Sequence, residues 1–165
     1  MMPSPTSPSR RTRCRSIVVG TDGSATAAEA VRRAAALASN DGAVLHVVTA
    51  YNPDQSAADR DEAEALPEHL RWMASPGQAA ENVLDETSAI LKDEDVDGLE
   101  VRRHACPGDP AEVLLELAEE LDADLVVVGN KGMLGLKRFV VPSVPNRVSH
   151  HASCDVLIVN TTGHE

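Results

Sequence analysis

The residues best suited to hold a ligand lie between Leu125 and Val144, LVVVGNKGMLGLKRFVVPSV. An apolar run ends at Gly129, Gly132 follows after Asn130-Lys131, and Pro142-Ser143 opens a helix-like segment at Val144. A buried strand leading into a glycine loop and then a helix start is a way to hold a phosphate. Backbone N–H groups and the helix dipole face the anion, and glycine lets the chain approach it closely. Thr21-Asp22, after the apolar run SIVVG, is a second candidate. Asp22 suits ribose hydroxyls or a phosphate-bound magnesium ion, and its plainer alternative is to close a turn or cap a helix. The strand end Val47 to Tyr51 is a third, able to meet a flat base through its backbone.

Other chemistries find less support. No glycine pair with Walker A spacing precedes a lysine, and Gly129-x2-Gly132-x2-Gly135 is not GxGxxG. Cys14, Cys106 and Cys154 are far apart, and the neighbours His150-His151 would point different ways on a helix, so neither group suggests a metal site. No second base or nucleophile stands near Asp22 or the loop, so no catalytic residue is expected and the chain is not read as an enzyme.

Charge narrows the partners. The formal net charge is −11, and the first fifteen residues hold four arginines and no acid, so the remainder is more acidic still. Such a body repels DNA, RNA and anionic membranes. No apolar run approaches the roughly 20 residues of a membrane span. Arg10-Arg11 is followed by no apolar stretch of the export type, and a cytoplasmic location is expected.

The elements that must position these residues follow from periodicity. Residues 1–15 read as a disordered basic tail and 16–160 as one domain. Apolar residues make up 42%, but only Tyr51, Trp72 and Phe139 are aromatic, so Val, Leu, Ile and Ala must build the core. Strands are expected at Ser16 to Gly20, Ala43 to Tyr51, Leu99 to Ala105, Leu125 to Val128 and Asp155 to Val159, the third less buried than the first two. Helices begin at a capping box of Thr26 with Glu29, at Ser75-Pro76-Gly77-Gln78, at Asp109-Pro110 and at Ser143. Between Asn52 and Ser75 no period is clean, and the stretch from Asp54 to Glu68 carries six acids against Arg60. It is expected to be a solvated excursion with one loose helical turn. Strands alternating with helices, without hairpin turns, imply parallel strands with right-handed crossovers: a doubly wound α/β domain.

On Gly129-x2-Gly132-x9-Pro142-Ser143, together with Val18-Val19-Gly20-Thr21-Asp22-Gly23-Ser24 and the C-terminal apolar strand, the chain resembles the universal stress protein family of the ATP-binding-motif type, including actinobacterial members. The resemblance implies a five-stranded parallel sheet in the order 3-2-1-4-5 and a homodimer formed through Asp155 to Val159. It implies an adenine nucleotide as ligand, ATP with magnesium first and cyclic AMP as the alternative, in a stress or regulatory role. By position, Thr21 and Asp22 would approach ribose or phosphate, and Val47 would meet adenine. Gly129, Asn130, Lys131 and Gly132 would line ribose and phosphates, and Ser143 and Val144 would bind the phosphate tail. The sequence departs from the motif at Pro142, where the family has glycine. Proline has no N–H to donate, and a charge-assisted hydrogen bond is worth about 1.5–3 kcal/mol, so weakened binding is expected. The competing expectation is a nucleotide-independent dimer that binds protein partners through its acidic excursion.

Overall fold

A computed structural model describes residues 13–54, 57–130 and 143–161. Five strands, β1 (Ser16–Gly20), β2 (Val44–Tyr51), β3 (Val101–Pro107), β4 (Leu125–Gly129) and β5 (Asp155–Val159), alternate with helices. They form one parallel sheet in the order β3-β2-β1-β4-β5, as the resemblance implied. The helices are α1 (Ala25–Asp41), α2 (Ala57–Ala65), α3 (Pro76–Asp93), α4 (Pro110–Glu120) and α5 (Val144–His151), with a 3-10 helix at Glu68–Ala74.

The continuous apolar runs of β1 and β4 have a direct cause. Alternate residues enter two separate cores, so both faces must be apolar. Ile17, Val19, Leu45, Val47 and Val127 pack beneath α1 and α3, against Val31, Ala34 and Leu84. Val18, Val48, Val126 and Val128 pack on the other face against Leu114, Ala118 and Val148 of α4 and α5. The first-face helix α1 presents mainly alanines to the sheet, which lets its backbone sit close.

The helix starts show why local chemistry reads well but not perfectly. Ser75 accepts from the Gln78 N–H and Asp109 from Ala111 and Glu112, each with proline in the first turn, as expected. At α1 the cap is Ser24, whose Oγ accepts from the Ala27 N–H, and Thr26 lies inside the helix rather than capping it. β3 starts at Val101 and ends at Pro107, two residues later at each end than its pattern suggested, because the Leu99 N–H closes a turn on the Val96 carbonyl and the ladder with β2 runs on to Tyr51 and Pro107. The excursion holds more structure than one loose turn, with α2 and the 3-10 helix both formed. Its helices bury little, so they left no apolar stripe to read.

The chain is pinned before β1: the Cys14 N–H donates to Asp41, and the Arg15 and Ser16 N–H groups donate to Asp124. Among the described residues, no helix is long and apolar enough to cross a membrane.

Candidate functional site

Strand order reverses at β1. The chain leaves β1 toward β2 and β3, then crosses to β4 and β5 on the other side. Crossovers from neighbouring strands then diverge to opposite faces, and in sheets of this kind ligands bind outside the carboxyl ends of the strands at that point, here β1 and β4. The parallel topology also brings the N-termini of α1, α3, α4 and α5 to this rim. Their dipoles give an acidic protein a locally anion-tolerant edge.

The β1 exit is held firmly. The Thr21 N–H donates to the Val48 carbonyl at 2.9 Å, and the buried Thr49 hydroxyl donates to the Thr21 carbonyl. Thr21 Oγ1 in turn accepts from the Gly23 N–H at 3.2 Å. Asp22 is exposed, and one of its oxygens accepts from the Ser24 N–H at 2.9 Å, which closes the turn into α1. Gly23 is required here: its φ is 81°, and a Cβ would come within 3.2 Å of Val83 on α3.

Gly129 differs. It ends β4, paired with Val159 of β5, and its φ is not positive. A Cβ built on it would meet nothing among the described residues nearer than 3.7 Å, the neighbours being Thr161, the Thr26 carbonyl and Ala30. The start of α1 therefore lies beside Gly129, which joins the β1 exit to the end of β4. Nothing among the described residues requires a glycine here.

Asn130 is tied into the scaffold. Its N–H donates to the Val159 carbonyl at 2.9 Å, and its side-chain amide donates to Asn160. Its Oδ1 accepts from both the N–H and the hydroxyl of Thr161. Ser143 caps α5, accepting from the Asn146 N–H at 3.4 Å, and Val144 is the first residue of that helix. Pro145 follows and carries no N–H. Arg147 fixes α5 on the start of α4 through Asp109 at 2.6 Å and Glu112 at 3.6 Å. Val47 sits mid-strand and buried, flanked by Val19 and Arg103 in register, with the strand's carboxyl end at Tyr51 beyond it. Lys131, Gly132 and Pro142 lie outside the described residues.

Sequence reasoning did not single out Thr49 or Arg147. A threonine near the end of a buried strand, and an arginine one turn into a helix facing an acidic helix start, are the signals that point to them. Among the described residues no group of three or more His, Cys, Asp or Glu is placed to hold a metal ion. Burial is the first cause pushing the thiols of Cys14, Cys106 and Cys154 up, with nearby carboxylates adding to it. None is an activated nucleophile.

A five-stranded parallel sheet in the order β3-β2-β1-β4-β5, with helices on both faces and a glycine ending β4 beside the reversal point, defines a doubly wound α/β protein. Residues 14–160 match the model of the universal stress protein family, and the chain belongs to that family. It is 36% identical over 148 residues to universal stress protein Rv1636 of Mycobacterium tuberculosis, covering 90% of this chain and 97% of that one. A solved universal stress protein in complex with cAMP superposes with a TM-score of 0.64 at 30% identity, covering 92% of this chain and all of its own. One from Archaeoglobus fulgidus in complex with dAMP gives 0.52 at 26% identity, over 87% and 96% of the two chains.

Proposed function

We propose that this protein binds an adenine nucleotide at the β1–β4 rim and acts as a ligand-dependent stress regulator without turning the nucleotide over. The observation that carries this reading is Gly129, a strand-end glycine that neither φ nor neighbouring atoms among the described residues demand. The cAMP and dAMP complexes of the two relatives support the ligand class. In this reading Thr21 and Asp22 face ribose and phosphate, Gly129 and Gly132 allow close approach, and Ser143 and Val144 meet the phosphate end. Asn130 acts by holding the loop entry to the chain after β5, and Lys131 adds positive charge. Val47 contributes the strand against which the base lies. With ATP bound, Asp22 is the carboxylate for its magnesium ion.

Cyclic AMP is the second reading, favoured by Pro142 and Pro145. Pro142 and Pro145, which flank Ser143-Val144 in the sequence, carry no N–H to donate, which costs a triphosphate tail more than a compact cyclic phosphate. We further propose that a cytoplasmic homodimer forms along β5, an edge strand on which Ile158 is 44% exposed.

Calorimetry with Mg-ATP and cyclic AMP on the wild type, Gly129→Ala and Pro142→Gly tests the site. Gly129→Ala is expected to fold normally and lose affinity by tenfold or more. Pro142→Gly is expected to gain roughly ten- to a hundredfold for ATP, from one recovered charge-assisted hydrogen bond. No heat from either nucleotide at about 1 mM, the level of a −4 kcal/mol interaction, overturns the reading.

A further inference from the structure

Two histidines form a ring pair between β2 and β3, on the sheet face opposite the Val47 side chain. His46 Nδ1 lies 2.9 Å from His104 Nε2, with ring centroids 5.1 Å apart and planes inclined by 39°. On β2, His46 is the register partner of Val18 and Arg102, and on β3, His104 is the partner of Val48. The bond therefore runs diagonally across the β2–β3 ladder, on the face that carries Val48 and α4. On that face α4 lies over β1 and β2 and α5 over β4 and β5, which leaves β3 on the open side. His46 is 4% exposed and His104 half-buried.

The charges around the pair are few. Arg102 on β3 and Glu100 just before it act on the pair, and Cys106 stands two residues beyond His104. Neither β1 nor the rest of β2 brings a charged side chain, and Glu112, Glu116, Glu119 and Glu120 of α4 are all exposed. No carboxylate among the described residues bonds either ring. Burial first, then the facing ring and Arg102, pull the His46 pKa below its ordinary 6.5, with Glu100 opposing. Burial and then Arg102 do the same to His104.

A bond between two imidazoles needs one N–H and one lone pair. A first proton leaves a donor and an acceptor, but places a charge in a mostly buried position beside Arg102. A second leaves two N–H groups and two like charges facing each other, and the bond is lost. We propose that His46 and His104 form a proton-sensitive clasp between β2 and the edge strand β3, closed near neutral pH and released by mild acid, so that β3 opens locally while β1 and β4 stay folded. Release exposes the backbone of β2 as a new sheet edge, available for pairing.

The test is amide hydrogen exchange on the full chain between about pH 7.5 and about pH 5.5, read as the ratio of the β3 amides that face β2 (Arg102, Cys106) to β1 amides (Val18, Val19). The chemical pH dependence of exchange cancels in this ratio. It is expected to rise as pH falls below 6.5, about tenfold for each unit by which the closed pair's pKa is depressed. His104→Asn, which hydrogen-bonds but takes no proton, is expected to lose most of that rise. Imidazole nitrogen NMR of the wild type is the second measurement and needs no variant to fold. Both rings are expected to titrate below 6.5, in two separated steps. A ratio that does not change with pH, a His104→Asn response equal to the wild type, or rings titrating at 6.5 or above overturns the clasp.

Discussion

The two edges of the sheet are built on opposite plans. β3 is a seven-residue edge strand fastened on both faces. Arg103 reaches Glu81 at 3.0 Å and Asp85 at 2.8 Å on α3, and His104 bonds His46 on the other face. Arg102 and Glu100 add an exposed ion pair at 2.6 Å. Charge along an edge discourages a second strand from pairing there. β5 is shorter and, after Asp155, wholly apolar, with Ile158 left 44% exposed. One edge carries charge, and among the described residues the other is apolar. If two copies associate through their sheets, edges this uneven favour β5, which would leave both rims and both β3 edges free.

Ile158→Lys gives the largest expected break in this contrast. If two copies pair along β5, each buries the exposed 44% of an isoleucine, about 0.7–1.3 kcal/mol, and the substitution removes it twice from the symmetric interface. The dimer dissociation constant should rise by roughly tenfold to a hundredfold, measured by sedimentation. Protomer stability should hardly change, since the side chain is already half exposed. A wild type that sediments as a monomer at about 100 μM, some four decades below molar, would show that an apolar edge is not enough.

The β3 edge breaks differently, by loosening the protomer itself. His46→Ala removes a buried ring and leaves His104 without its partner, at an expected cost of about 2 kcal/mol in denaturant unfolding at neutral pH. Acid should approach the same result in the wild type. Both folded-state pKa values lie below the 6.5 of the unfolded chain, so between them the unfolded state binds more protons. The pair's contribution is intact above pH 6.5 and falls away as pH drops toward the folded values. Urea midpoints taken downward from pH 7.5 to 5.5 should fall more steeply for the wild type than for His46→Ala. Parallel slopes would remove the histidines from the account.

The same contrast explains what the sequence makes legible. β1, β4 and β5 are short apolar runs bounded by turn residues, and their limits match the structure closely. The edge strand β3 is half polar, so its pattern is weak and its boundaries drift. His46 and His104 sit in different strands 58 residues apart, and only strand order and register bring them together. The excursion hides its helices for a related reason. α2 is alanine and acid with Ala63 buried, so helix propensity was the only signal and periodicity had nothing to report. At the rim, residue types marked Thr21, Asp22 and Gly129 as special. They did not tell that the Asn130 amide is spent on Asn160 and Thr161, or that Gly23 rather than Gly129 is the glycine the backbone needs.

Arg103→Ala carries the smallest expected effect and the sharpest question about the charged edge. Its guanidinium is about one-third exposed, and both acids on α3 are more than half exposed, so solvent screens the pairs. Partly exposed ion pairs are worth about 0–1 kcal/mol, and two that share one cation do not simply add. The unfolding free energy should therefore fall by less than about 1 kcal/mol, and the loss should shrink further in high salt. If β3 amides nevertheless exchange as fast in Arg103→Ala as in His46→Ala, ion pairs rather than the ring pair hold the edge. If they stay protected, the charges serve to repel a pairing strand, and the buried contact on the other face holds β3 in place.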